Sequence, residues 1–108
     1  MGEDALESLV IRYHDHNYKL CRDGVQDLIS REKLNDSMTG TLRAYRAFFL
    51  LGLAEAKLGD HEKAVNAFEK AAKIDSTKSE PLANIGNSLR TLGRYDEAVV
   101  AYQAALRA

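Results

Sequence analysis

A period of 34 residues constrains this chain more than any other feature. Shifted by that distance, Gly52 meets Gly86, Leu58 meets Leu92 and Gly59 meets Gly93. Ala64, Val65, Ala67 and Ala71 meet Ala98, Val99, Ala101 and Ala105, and Phe68 falls on Tyr102. A fixed period of this length marks a unit that cannot bury its apolar face alone and must stack on its neighbours. Inside the period the apolar residues recur at spacings of three and four: Ala64, Val65, Phe68 and Ala72, then Ala98, Val99, Tyr102 and Ala105. That spacing draws one stripe on a helix. Ala, Leu, Glu and Lys, which lose little rotamer freedom in a helix, dominate the second half. The expectation is an all-α chain built as a right-handed stack of about three antiparallel helical hairpins.

Breakers divide it. Helices are expected at 4–22, 24–34, 41–58, 61–74, 80–92 and 95–107. Gly59 and Gly93 serve as left-handed stops after Leu58 and Leu92. Asp60 and Ser79 stand at N-cap positions, and Pro81 falls in a first turn where its missing N–H costs nothing. Gly24, after Cys21-Arg22-Asp23, reads as the turn before a second helix. Asn35-Asp36-Ser37-Met38-Thr39-Gly40 is the one extended loop. The units are therefore 1–40, 41–78 with a lengthened first helix, and 79–108.

The positions carrying the period resemble the tetratricopeptide repeat. That family places a bulky residue, Leu-Gly, a small Ala, an aromatic four later and another Ala in order. Here they read Phe48, Leu51-Gly52, Ala64, Phe68 and Ala71, then Leu82, Ile85-Gly86, Ala98, Tyr102 and Ala105. Glycine and alanine occur where the helices cross closely, and the large rings fill the space beside them. Glu55 and Leu89 replace the family aromatic three after the glycine, and Ser76 replaces the proline between repeats. Upstream the signature fails: 34 residues before Gly52 stands Tyr18, and before Ala64 stands Ser30. Residues 1–40 read as a degenerate first hairpin, with an unrelated helical cap as the alternative. A stack needs about three repeats for stability.

Charge and composition narrow the function. Fifteen Lys and Arg against sixteen Asp and Glu leave −1, which opposes a nucleic-acid or anionic-membrane surface built on net positive charge. One cysteine excludes an internal disulfide, as in a cytoplasmic protein. No apolar run approaches the ~18–20 residues of a membrane span. Met1-Gly2-Glu3-Asp4 is acidic, and Leu6 stands where a myristoylation signal needs Ser or Thr. On one continuous helix His14 and His16 would point about 200° apart and could not share an ion. Cys21 reads as a small core residue and His61 as solvated. No phosphate loop, nucleophile elbow or framed carboxylate pair is present, so neither enzyme chemistry, cofactor nor metal is expected.

What remains is a surface. The family resemblance implies a concave groove lined by the first helix of each repeat. Its inward positions here are Arg46, Phe49, Leu50, Leu53 and Lys57, followed by Asn84, Asn87 and Arg90. One subclass clamps a peptide's terminal carboxylate with Lys, Asn and Arg. Asn84 suits that clamp, whereas Phe49, Leu50 and Leu53 put an apolar strip where it needs polar groups. The expected role is a non-catalytic scaffold holding a peptide or helix of a protein partner, with no nucleic acid and no membrane. The alternative is an oligomerisation module in a fragment of a larger repeat protein. Val99, Val100, Tyr102 and Leu106 would then self-associate from a last helix without a neighbour.

Overall fold

The computed structural model describes residues 4–108; Met1–Glu3, and with them most of the acidic start, lie outside the described residues. Six helices follow one another: α1 (Ala5–His14), α2 (Tyr18–Glu32), α3 (Leu42–Lys57), α4 (His61–Ile74), α5 (Glu80–Thr91) and α6 (Tyr95–Arg107). No strand occurs among the described residues. Each helix packs on the next in order, giving three hairpins stacked in line within 46 × 28 × 19 Å. First helices α1, α3 and α5 make one layer, and second helices α2, α4 and α6 make the other.

Steric exchange at the helix crossings holds each hairpin. A Cβ built on Gly52 would lie 2.6 Å from the Phe68 ring, and one on Gly86 would lie 2.6 Å from Tyr102. Glycine is required there because the ring already occupies the Cβ position. Gly59 and Gly93 turn the chain at φ +85° and +81°. In each turn two N–H groups bond back to the helix just ended. Gly59 and Asp60 donate to the carbonyls of Ala56 and Glu55, and Gly93 and Arg94 donate to those of Arg90 and Leu89. Asp60 and Ser79 occupy their N-cap positions without a side-chain cap bond.

The first hairpin differs from expectation. Its break falls at Asp15-His16-Asn17, and Gly24 lies in the middle of α2. α1 ends at His14 and α2 begins at Tyr18, each 43 residues before the matching boundary of α3 and α4, at Lys57 and His61. His16, 43 before Gly59, takes the same left-handed conformation at φ 62°. His16 and Asn17 donate to the carbonyls of Tyr13 and Arg12, repeating the downstream turn bond for bond. The small-and-large exchange is inverted. A Cβ on Gly24 of α2 would collide with Leu9 of α1, so the gap has moved to the second helix and the bulk to the first.

The offset is 43 because the connection into α3 is longer. Residues 33–41 separate α2 from α3, and α3 starts a turn earlier than α5 does. This linker is fastened. Lys33 closes α2 at φ 55°, and Leu34 and Met38 pack against a cluster containing Ala44, Tyr45, Phe48, Ala71 and Ile74. The Gly40 N–H donates to the Ile74 carbonyl at 2.9 Å. At the other end of the hairpin, Arg43 joins Glu32 at 2.6 and 2.7 Å and Asp4 at 3.0 Å, tying α1 and α2 to α3.

Candidate functional site

An apolar groove of about 180 Å³ lies between α1 and α3. α3 supplies Phe49, Leu50 and Leu53, with Arg46 at the rim, and α1 supplies Leu6, Val10, Tyr13 and His14. Phe49 is held by its neighbours: its ring stacks on Tyr45 at 5.8 Å and tilts against Phe68 at 5.6 Å. Phe49 and Leu53 remain half-buried, with one side free. Leu50 does not offer an open face. It is 6 % exposed and packed among Leu6, Cys21, Val25, Leu28, Ala47 and Ala54, so it is the floor of the groove. The N-terminal hairpin thus covers part of the strip and walls the rest.

The polar residues are partly engaged. Arg46 donates to Glu7 of α1 at 2.7 Å. Asn84 donates to the Glu80 carbonyl at 3.0 Å, and Asn87 Oδ1 accepts from the Tyr102 hydroxyl at 2.6 Å. Lys57 and Arg90 are exposed and make no ion pair among the described residues. The sequence reading missed Val10, Tyr13 and His14 as groove residues. The signal that finds them is the 43-residue offset, which places Val10, Tyr13 and His14 opposite Leu53, Ala56 and Lys57.

Chemistry-bearing side chains elsewhere are accounted for by packing. His16 leaves the helix and bonds the Tyr18 hydroxyl at 2.6 Å through Nδ1, so the single helix expected over 4–22 is broken between His14 and Tyr18. His61 is half-buried, with Nδ1 3.4 Å from the Ser88 hydroxyl on α5, and is not simply solvated. Cys21 is fully buried, and burial pushes its thiol up to about 11, away from the reactive thiolate. Tyr13 is raised by burial first, with Tyr18 and Cys21 adding to it. Glu55 is the exception. It is 2 % exposed, its Oε1 has no hydrogen-bond partner, and Arg22 stands 3.8 Å away. Burial raises its pKa, and Arg22 only partly offsets that.

The last helix shows two kinds of residue. Val99, Val100 and Leu106 are 52, 64 and 88 % exposed. Tyr102 is different from these three, because its ring covers Gly86 and its hydroxyl is committed to Asn87.

The structure has close counterparts. MamA 41-end from Desulfovibrio magneticus RS-1 superposes with a TM-score of 0.81 at 17 % identity, covering 95 % of this chain and 53 % of that one. The type III secretion translocator chaperone SycD of Yersinia enterocolitica gives 0.80 at 17 % identity, covering 94 % of this chain and 63 % of that one. At such identities the likeness is one of fold. A curated relative, small glutamine-rich tetratricopeptide repeat-containing protein 2 of Mycosarcoma maydis, is 38 % identical over 50 residues. That match covers 46 % of this chain and 14 % of the relative, so the chain spans a small part of that protein. The sequence pattern of the tetratricopeptide repeat matches residues 45–78 and 79–108. With two matched repeats over more than half its length, the chain belongs to the tetratricopeptide repeat family.

Proposed function

We propose that this chain is a non-catalytic interaction scaffold that holds a peptide or helix of a partner protein on its inner face. The observation carrying this is the groove between α1 and α3, where Phe49 and Leu53 keep one side free beside Val10 and Tyr13. Burial of each large apolar side chain there contributes about 2–3 kcal/mol, and the stiff helical walls need little ordering on binding. Arg46, Lys57, Asn84, Asn87 and Arg90 form the polar surround that would orient the ligand. In this reading residues 1–40 act as a divergent repeat unit that completes the groove, 41–78 and 79–108 supply the other two, and the setting is cytoplasmic.

Selection from a random 12-residue peptide display library on the immobilised chain tests it. Clones bound by the wild type and lost at least tenfold with Phe49→Glu, in a variant whose circular dichroism is unchanged, are the expected result. A second, milder variant, Val10→Ser, should weaken the same clones. If neither substitution affects any clone, the groove is not the binding site.

A second reading has its own observation. Val99 and Leu106 expose aliphatic surface on one face of α6, with Val100 about 100° round from Val99, as an association face would. Sedimentation velocity at rising concentration then shows an oligomer that Leu106→Glu disperses. A monomer at every concentration removes this reading and leaves the groove untouched.

A further inference from the structure

The outer helices α2, α4 and α6 do not pack directly on one another, although Arg94 at the start of α6 reaches Glu62 of α4 at 2.7 Å, and a furrow floored by α3 or α5 separates each successive pair. The two furrows are built from equivalent positions but differ in content. Between α2 and α4 the floor is Phe48, Leu51 and Glu55, and the space is about 150 Å³. Between α4 and α6 the floor is Leu82, Ile85 and Leu89, and the space is about 450 Å³. The chain narrows the first furrow itself. Lys70 lays its stem across Phe48 and sets its ammonium 5.6 Å from the ring centroid. Thirty-four residues later Ala104 has no stem to offer, and Val100, in the place of Asn66, is 64 % exposed.

The walls also become more acidic. Lys63 of α4 becomes Glu97 on α6, and the neutral Gln26 of α2 becomes Glu69 on α4. Glu97 already accepts two hydrogen bonds from Arg94, at 2.9 and 2.7 Å. Glu69 is exposed and joins no ion pair among the described residues.

We propose that the furrow between α4 and α6 docks a basic amphipathic helix of a partner protein. The helix lays aliphatic side chains on Leu82, Ile85 and Leu89 and directs a lysine or arginine to Glu69. It supplies in trans the stem and cation that Lys70 supplies in cis one repeat earlier. This surface is on the opposite layer from the α1/α3 groove, so one chain would hold two different ligands at once.

The same peptide library, sorted by a different variant, tests the inference. Val100→Lys and Glu69→Lys change exposed residues and should leave the circular dichroism intact. The expected clones lose binding at least tenfold with Val100→Lys and again with Glu69→Lys, keep it with Lys57→Glu, and carry Lys or Arg among Leu, Ile and Val. The inference is overturned if no clone depends on Val100, or if such clones are acidic or indifferent to Glu69→Lys. It is equally overturned if Val100→Lys disperses an oligomer of the wild-type chain, because a second copy is then the occupant. Clones that depend on Phe49 report on the inner groove separately, so failure at one face is not failure at the other.

Discussion

Glu55 stands where the next repeat has Leu89, and the two positions are buried alike, at 2 and 5 % exposure. A leucine there is simply packed, whereas a carboxylate must leave water for an Arg22 that is 3.8 Å away. Burial raises the pKa of Glu55 in the folded chain above its unfolded value. Its protonated form is therefore the better fit, and the fold is favoured below the ordinary glutamate value of 4.5. That contribution is lost as the pH rises through the folded pKa. Glu55→Leu should raise stability at pH 7 by about 1–3 kcal/mol, as replacement of buried ionic groups by aliphatic ones often does. It should also remove the part of the pH dependence that favours acid. Urea titrations of both proteins at pH 5 and pH 8 measure this, and equal midpoint shifts at the two values would contradict the assignment. His16 offers a second residue-scale test. A side chain at φ 62° carries the left-handed penalty that Gly59 and Gly93 avoid. His16→Gly should stabilise by about 0.5–1 kcal/mol, and loss of the His16–Tyr18 hydrogen bond at an exposed site subtracts little from that.

Between helices, the inverted pair of Leu9 and Gly24 fixes how α1 lies on α2. Gly24→Ala brings a methyl group against Cδ2 of Leu9; because that is the end of a flexible side chain and alanine is the better helix former, the net cost should be at most about 1 kcal/mol. Leu9→Ala removes the obstruction, so the double variant should lose less than the sum of the single ones, and a double-mutant cycle in urea measures the coupling. Additive losses would mean that the two residues do not meet. The same pair explains what could be read from the chain unaided. Helices α4 and α6 match expectation at both ends, since Gly59 and Gly93 announce their turns and the 34-residue period aligns their cores. The first hairpin hid its turn, because a histidine occupies the left-handed position that glycine marks elsewhere. Gly24 misled in the other direction: it serves close packing in mid-helix, and sequence alone does not separate that use from a stop. The groove suffered from the same error. Arg46, Phe49 and Leu53 were implied by the family resemblance, but Val10 and Tyr13 emerge only once the offset of 43 is known. The outer furrow was invisible, since it depends on which walls are short and not on any motif.

As a whole the molecule is a line of neighbours, so its stability is a sum of hairpins and the joints between them. The joint at the N-terminal end has an apolar core of Leu6, Cys21, Val25, Leu28, Ala47 and Leu50 and an ionic rim at Arg43. Asp4 is held below the usual carboxylate range by the Leu6 N–H and by Arg43, and Glu32 is held there by Arg43. These groups favour the fold above their ordinary pKa values and lose that contribution as the pH falls through the depressed folded ones, opposite in sign to Glu55. Arg43→Gln should therefore increase amide exchange in α1 and at the end of α2 while α5 and α6 keep their protection. Exchange followed by mass spectrometry at peptide resolution reads this directly, and a uniform rise along the chain would show one cooperative block instead of a stack.

The sparse contact among the outer helices also has a mechanical meaning. A column whose members α2, α4 and α6 meet mainly through α3 and α5 can flex by closing or widening the gaps between them. The gap behind α5 is the wide one, and the gap behind α3 is wedged by Lys70. Bending at the wide gap should be resisted by the Arg94–Glu62 ion pair, which spans it at 2.7 Å. If both proposed sites are used, an occupant of the wide gap would act as a shim that sets the angle between Arg90 and Asn87 of α5 and a ligand lying against Phe49.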